Sequence, residues 1–139
     1  MFSLNKDGKS CQISWRSQRV RHVARSTLAA ECLAFADGSD AAAFVTKLAL
    51  EFQLVNQNSS VVAITDSKSL YDAANTSTMY SDRRLRVEMA AIREAKESEE
   101  LEIKWTNSSN QLADVLTKNA ASPIPLCKAV SEGTIVHRC

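Results

Sequence analysis

The run Ser60-Val61-Val62-Ala63-Ile64-Thr65 constrains this chain more than any other segment. It is short and rich in β-branched residues, and it is apolar at both alternating sets of positions. That pattern reads as a central strand covered on both faces, and the helical patterns on either side of it fit a sheet of the α/β kind. The strand ends at Asp66. In such sheets the C-terminal end of a strand faces the crevice where ligands bind, so this aspartate stands at a candidate site.

The remaining segments fall into place around it. Phe2–Leu4 and Cys11–Ser17 read as a hairpin joined by the turn Asn5-Lys6-Asp7-Gly8. A basic loop follows from Gln18 to Arg25. Ser26 or Thr27 can cap a helix that continues to about Phe52. Its expected inward positions are Leu28, Cys32, Phe35, Ala42, Val45, Leu48, Ala49 and Phe52, with Gly38-Ser39 as a place for a kink or break. After the central strand come a short helix from Ser67 to Ala74 and a helix capped by Asp82 that runs to about Ser98. Leu85, Met89 and Ile92 form the inward stripe of that second helix. Leu101–Thr106 alternates as a last strand. Ser109 or Asn110 caps a helix through Lys118, and Pro123 and Pro125 interrupt it. Pro125–Glu132 can form a further helix stopped by Gly133. Thr134–Cys139 reads as a tail. The order is β-β-α-β-α-α-β-α-α, without an internal repeat.

The chain has 139 residues, enough for one domain with a sizeable core. We place that domain at residues 1–122, followed by a C-terminal helix and tail at 123–139. The net charge is only +1, so bulk composition does not single out an anionic partner. The distribution is more informative. Residues 1–30 carry Lys6, Lys9, Arg16, Arg19, Arg21 and Arg25 against Asp7 alone, with His22 among them. Residues 94–102 carry Glu94, Glu97, Glu99, Glu100 and Glu102. Either run is also compatible with a plain solvated face. No segment reaches membrane-spanning length, and no apolar leader is evident at the start. The four cysteines, Cys11, Cys32, Cys127 and Cys139, have no zinc-type spacing and read as free thiols in a reducing compartment, cytosol or nucleus.

Three carboxylates stand at structural junctions. Glu31 lies in the first turns of the long helix, Asp66 ends the central strand, and Asp114 follows the last strand by one loop. A helix returning from the crevice edge starts beside the strand end, so all three acids can reach one rim. Their mutual repulsion calls for a divalent cation, and oxygen ligands of this kind suit Mg²⁺ in phosphodiester hydrolysis. Each also has a local reading: an acid favoured by the helix dipole at Glu31, an N-cap at Asp66, a surface helix residue at Asp114. Trp15 and Trp105 sit on strands, where they can pack or stack on bases.

Four words occur in order: Ile13-Ser14-Trp15-Arg16-Ser17-Gln18-Arg19, Arg25-Ser26-Thr27-Leu28-Ala29-Ala30-Glu31, Thr65-Asp66-Ser67-Lys68-Ser69-Leu70, and Gln111-Leu112-Ala113-Asp114-Val115-Leu116-Thr117-Lys118. Together they resemble the ribonuclease H domain of copia-type retrotransposon Pol polyproteins, over about residues 11–120. The stretch Asp82-Arg83-Arg84-Leu85-Arg86 is similar to that family's basic helix start.

The resemblance implies a ribonuclease H-like fold, a five-stranded mixed sheet with helices on both faces. It implies hydrolysis of RNA in RNA–DNA hybrids with two Mg²⁺ ions, and an original fusion to a reverse transcriptase domain. Glu31, Asp66 and Asp114 take the metal-ligand and catalytic roles. The family's first acid is an aspartate on a strand that precedes the hairpin, and that strand has no counterpart here. Asp7 is no substitute, because its turn lies a strand length, roughly 15–20 Å, from the active rim.

Two functions follow from the resemblance. One is the greater part of a Mg²⁺-dependent hybrid ribonuclease, impaired when alone. The other is a non-catalytic remnant that binds nucleic acid through Arg16, Arg19, Arg21, Arg25, Arg83, Arg86 and Arg93. Arg86 and Arg93, seven residues apart, are expected on one helix face.

Overall fold

Ser26 sits in extended backbone (φ −151°, ψ 162°), and its hydroxyl accepts the Ala29 amide at 3.1 Å. This cap opens the longest helix, α1 (Thr27–Glu51). The structure is a computed structural model and describes residues 1–6, 9–17, 24–116 and 118–133. The described residues form four α-helices and two small sheets, a mixed α/β architecture. The chain divides into two compact units. One holds α1, β3, α2, α3 and β4; the other holds β1, β2 and the segment from Thr106 onward.

In the first unit, β3 (Val61–Thr65) pairs in parallel with β4 (Leu101–Trp105) in the register Val61↔Leu101, Ala63↔Ile103, Thr65↔Trp105. Between them in sequence lie α2 (Lys68–Asn75) and α3 (Arg83–Glu97). Ser67 caps α2 through the Leu70 amide, and Asp82 caps α3 through the Arg84 and Leu85 amides at 2.9 and 3.4 Å. The core joins Cys32 of α1, Leu70, Ala73 and Ala74 of α2, and Leu85, Met89 and Ile92 of α3 to Leu101 and Ile103. Val61 and Ala63 pack against it from β3.

All three helices of this unit therefore converge on the sheet face that carries the odd-numbered strand residues. Side chains alternate along a strand, so Val62, Ile64, Glu102 and Lys104 take the other face. There Val62 is 44% exposed, and Lys104 pairs with Glu102 at 3.2 Å. Cover on both faces, expected of this strand and implied by the resemblance, is not supplied by the described residues of this unit. Among the described residues of this unit, the lateral edge also has no strand against it. The Val61 amide donates to the Glu100 carbonyl, so the Val62 and Ile64 peptide groups point away from β4. Among the described residues, β4 is the one strand hydrogen-bonded to β3.

α1 runs without a break through Gly38-Ser39, where the sequence allowed a kink; a Cβ at Gly38 would meet nothing within 4 Å. Leu28, Cys32 and Phe35 face inward as expected. Leu48 and Phe52 do not: they are 38% and 72% exposed, and Ala49 supplies the buried position of that turn. Helical periodicity identifies an apolar stripe, but a stripe is buried only where a second element lies against it.

In the second unit, β1 (Phe2–Lys6) runs antiparallel to β2 (Lys9–Ser14), with Leu4 opposite Cys11 and Lys6 opposite Lys9. The turn residues Asp7 and Gly8 lie outside the described residues. α4 (Ile124–Glu132) packs on β2, with Pro123 at its cap and Pro125 in its first turn, where a missing amide hydrogen costs no helical bond. Gly133 ends the helix in the left-handed region (φ 65°), and its carbonyl accepts the Ser10 amide.

The helix expected from Asn110 to Lys118 is replaced by two 3₁₀ segments, Ser108–Asn110 and Leu112–Leu116. Asn107, rather than Ser109 or Asn110, is the cap. None of these side chains is fully buried, so no packed face stabilises a longer α-helix.

Candidate functional site

Asp66 leaves the end of β3 half-buried. Its neighbours hold the backbone there from two sides. The Thr65 hydroxyl, on a buried residue, accepts the Ser67 amide at 3.1 Å. From β4, the Trp105 indole N–H donates to the Asp66 carbonyl at 3.3 Å. The strand register sets this contact, because Thr65 lies opposite Trp105. Trp105 is thus a positioning residue for Asp66. The strand pattern left packing and base stacking open; the pairing of β3 with β4 adds a hydrogen bond that the pattern did not show.

The cation next to Asp66 is engaged elsewhere. The Lys68 ammonium bonds Asp72 at 3.1 Å and lies 5.6 Å from the Trp105 ring centroid and 5.8 Å from that of Tyr71. Such a cation over aromatic faces holds α2 against the strand ends.

Glu31 lies in the second turn of α1, half-buried. Asp114 belongs to the other unit. Its side chain is 19% exposed and pairs with Lys118 at 2.7 Å. Carboxylate oxygens suit Mg²⁺ as donors. Nevertheless, among the described residues no group of three His, Cys, Asp or Glu side chains gathers to hold a metal ion. Glu31 and Asp66 belong to one unit and Asp114 to the other, and we derive no hydrolytic step through a metal centre.

The basic residues divide into three sets. Arg19 and Arg21, like His22, lie outside the described residues. Arg16 is exposed beyond β2, and Arg25, Arg83 and Arg86 are exposed in the other unit. Arg93, seven residues on from Arg86 along α3, is different. It is half-buried, and its guanidinium donates to the Ala73 carbonyl at 3.3 and 2.8 Å and to the Thr78 carbonyl at 3.3 Å. Ala73 is in the last turn of α2, where carbonyls lack helical partners, so Arg93 closes the end of that helix.

Arg84, part of the basic helix start but not among the expected nucleic-acid contacts, lines an open cleft of about 450 Å³ together with Arg25, Asp82 and Arg83. Deeper in, between the starts of α1 and α3, Ala29, Cys32, Leu33 and Leu85 form an apolar floor beside Glu88. Cys32 is fully buried, with its thiol 3.5 Å from the Met89 sulfur. Burial, and then the charge of Glu88, push this thiol up to about 11. It is a core residue rather than a nucleophile.

Compared with known proteins, the chain matches no protein-family model, no curated protein and no solved structure. No helix among the described residues is long and apolar enough to cross a membrane.

Proposed function

We propose that this chain derives from the ribonuclease H domain of a copia-type retrotransposon Pol polyprotein, and that residues 1–139 by themselves bind nucleic acid without cutting it. The carrying observation is the sequence of four ordered words, which sets Glu31, Asp66 and Asp114 at three separate junctions. Two features of the fold support the reading of impaired catalysis. Asp114 is ion-paired to Lys118, and β3 keeps one edge without a strand partner among the described residues. A strand of uncharged, β-branched residues is of the kind found inside sheets, whereas edge strands generally carry charge or proline.

In this reading the ancestral reaction is hydrolysis of the RNA strand of an RNA–DNA hybrid. Glu31, Asp66 and Asp114 are its ligands for two Mg²⁺ ions, and a reverse transcriptase domain is its original fusion partner. The binding that remains uses phosphate contacts, which need only positive charge at suitable spacing.

The test is incubation of the purified chain with a labelled RNA–DNA hybrid and Mg²⁺. No cleavage above the buffer control is expected. Cleavage that disappears in Asp66→Asn would overturn the claim that the chain cannot cut alone.

A further inference from the structure

We propose that the cleft lined by Arg25, Arg83 and Arg84 is a seat for a backbone phosphate of nucleic acid. The assignment deepens the nucleic-acid reading above and rests on it. Two separate segments build the cleft. Arg25 comes from the approach to α1, whereas Arg83 and Arg84 come from the first turn of α3. All three arginines are exposed.

Of the two acids here, Asp82 is held by the amides of Arg84 and Leu85 as the cap of α3, and Glu88 lies at the apolar floor. Three guanidinium groups against these two carboxylates leave a local charge of +1. Guanidinium is the side-chain group best matched to phosphate oxygens, because its planar fork presents paired donors. The cleft, at about 450 Å³, has room for a phosphate together with its sugar.

Arg93 provides an internal contrast. It lies on the same helix, α3, but its donors are committed to the Ala73 and Thr78 carbonyls. Charge content alone would give Arg93 and Arg84 equal standing as phosphate ligands. The geometry assigns the role to Arg84 and withholds it from Arg93.

The test is anisotropy of a labelled single-stranded DNA of about 12 nucleotides with the full chain, across a salt series, in EDTA. Without Mg²⁺ and without cleavage, its outcome is separate from that of the hydrolysis assay. Loss of three contacts on a single strand lowers the slope of log K against log salt by about 2, which is on the order of 100-fold in affinity at 0.1 M salt. The triple variant Arg25→Gln/Arg83→Gln/Arg84→Gln is expected to show this loss. Arg25→Lys/Arg83→Lys/Arg84→Lys should keep most of the salt slope, and Lys47→Gln, at an exposed position of α1 that does not line the cleft, should match the unchanged chain.

Circular dichroism of each variant establishes that it is folded. If the triple glutamine variant does not fold, the single variant Arg84→Gln takes its place, with a slope change of about 0.7 expected. Oligonucleotide affinity within twofold of the unchanged chain in the folded variant would overturn the proposal. So would an unchanged chain that binds inorganic phosphate at matched ionic strength but not the oligonucleotide, because the seat would then take the free ion.

Discussion

Replacing Arg93 by glutamine separates a structural arginine from a ligand-binding one. Its guanidinium makes three hydrogen bonds to the carbonyls of Ala73 and Thr78, and Ala73 itself is buried. A hydrogen bond from a charged donor contributes about 1.5–3 kcal/mol. Two of these bonds share one carbonyl and the third is exposed, and glutamine can restore one of them, so the contributions do not add. The net loss is about 2 kcal/mol, which lowers the thermal midpoint of a domain of this size by on the order of 5–10 °C.

Arg93→Lys keeps the charge but presents a single point donor, and it should fall between the two. Urea denaturation followed by far-ultraviolet circular dichroism measures the stability. Oligonucleotide anisotropy, in conditions where the variant is folded, measures binding. The expected result is a large loss of stability with unchanged affinity. A folded Arg93→Gln chain of undiminished stability that binds nucleic acid more weakly would refute this account of the residue.

Two further outcomes follow from side chains and backbone that serve no ligand. Cys32, whose thiol lies near 11 against an ordinary 9.0, binds its proton more tightly when folded. Its contribution to stability is therefore complete below about pH 9 and is lost as pH rises toward 11; in urea titrations at pH 7 and pH 10 the unchanged chain should lose more stability than Cys32→Ala. Glu99 follows α3 in the left-handed region (φ 61°), where a Cβ is strained. Glu99→Gly should stabilise the chain by about 0.5–1 kcal/mol, after the larger chain entropy of glycine in the unfolded state is set against the strain relieved. A loss of stability in the same assay would contradict this.

Local chemistry was enough to place most elements. Ser26 and Asp82 announce helices because the hydroxyl or carboxylate meets an amide only two or three residues away, whereas the cap of α2 is Ser67 and not Asp66. Gly133 announces a stop through its own backbone freedom. The stripe Leu85, Met89, Ile92 and the run Val61–Thr65 show their periods directly, and all but the cover of β3 was legible from them. What depended on tertiary structure was the set of neighbours.

Leu48 and Phe52 carry the same apolar spacing as Leu28 and Cys32, yet no described element buries them. The pairing of β3 with β4, the turn of Arg93 toward α2, and the meeting of Arg84 with Arg25 all join residues far apart in the chain. A periodic pattern marks which face is apolar, and a charge marks which residue is polar. What each of them meets is set by contacts between distant segments, and these exist only once the chain has folded.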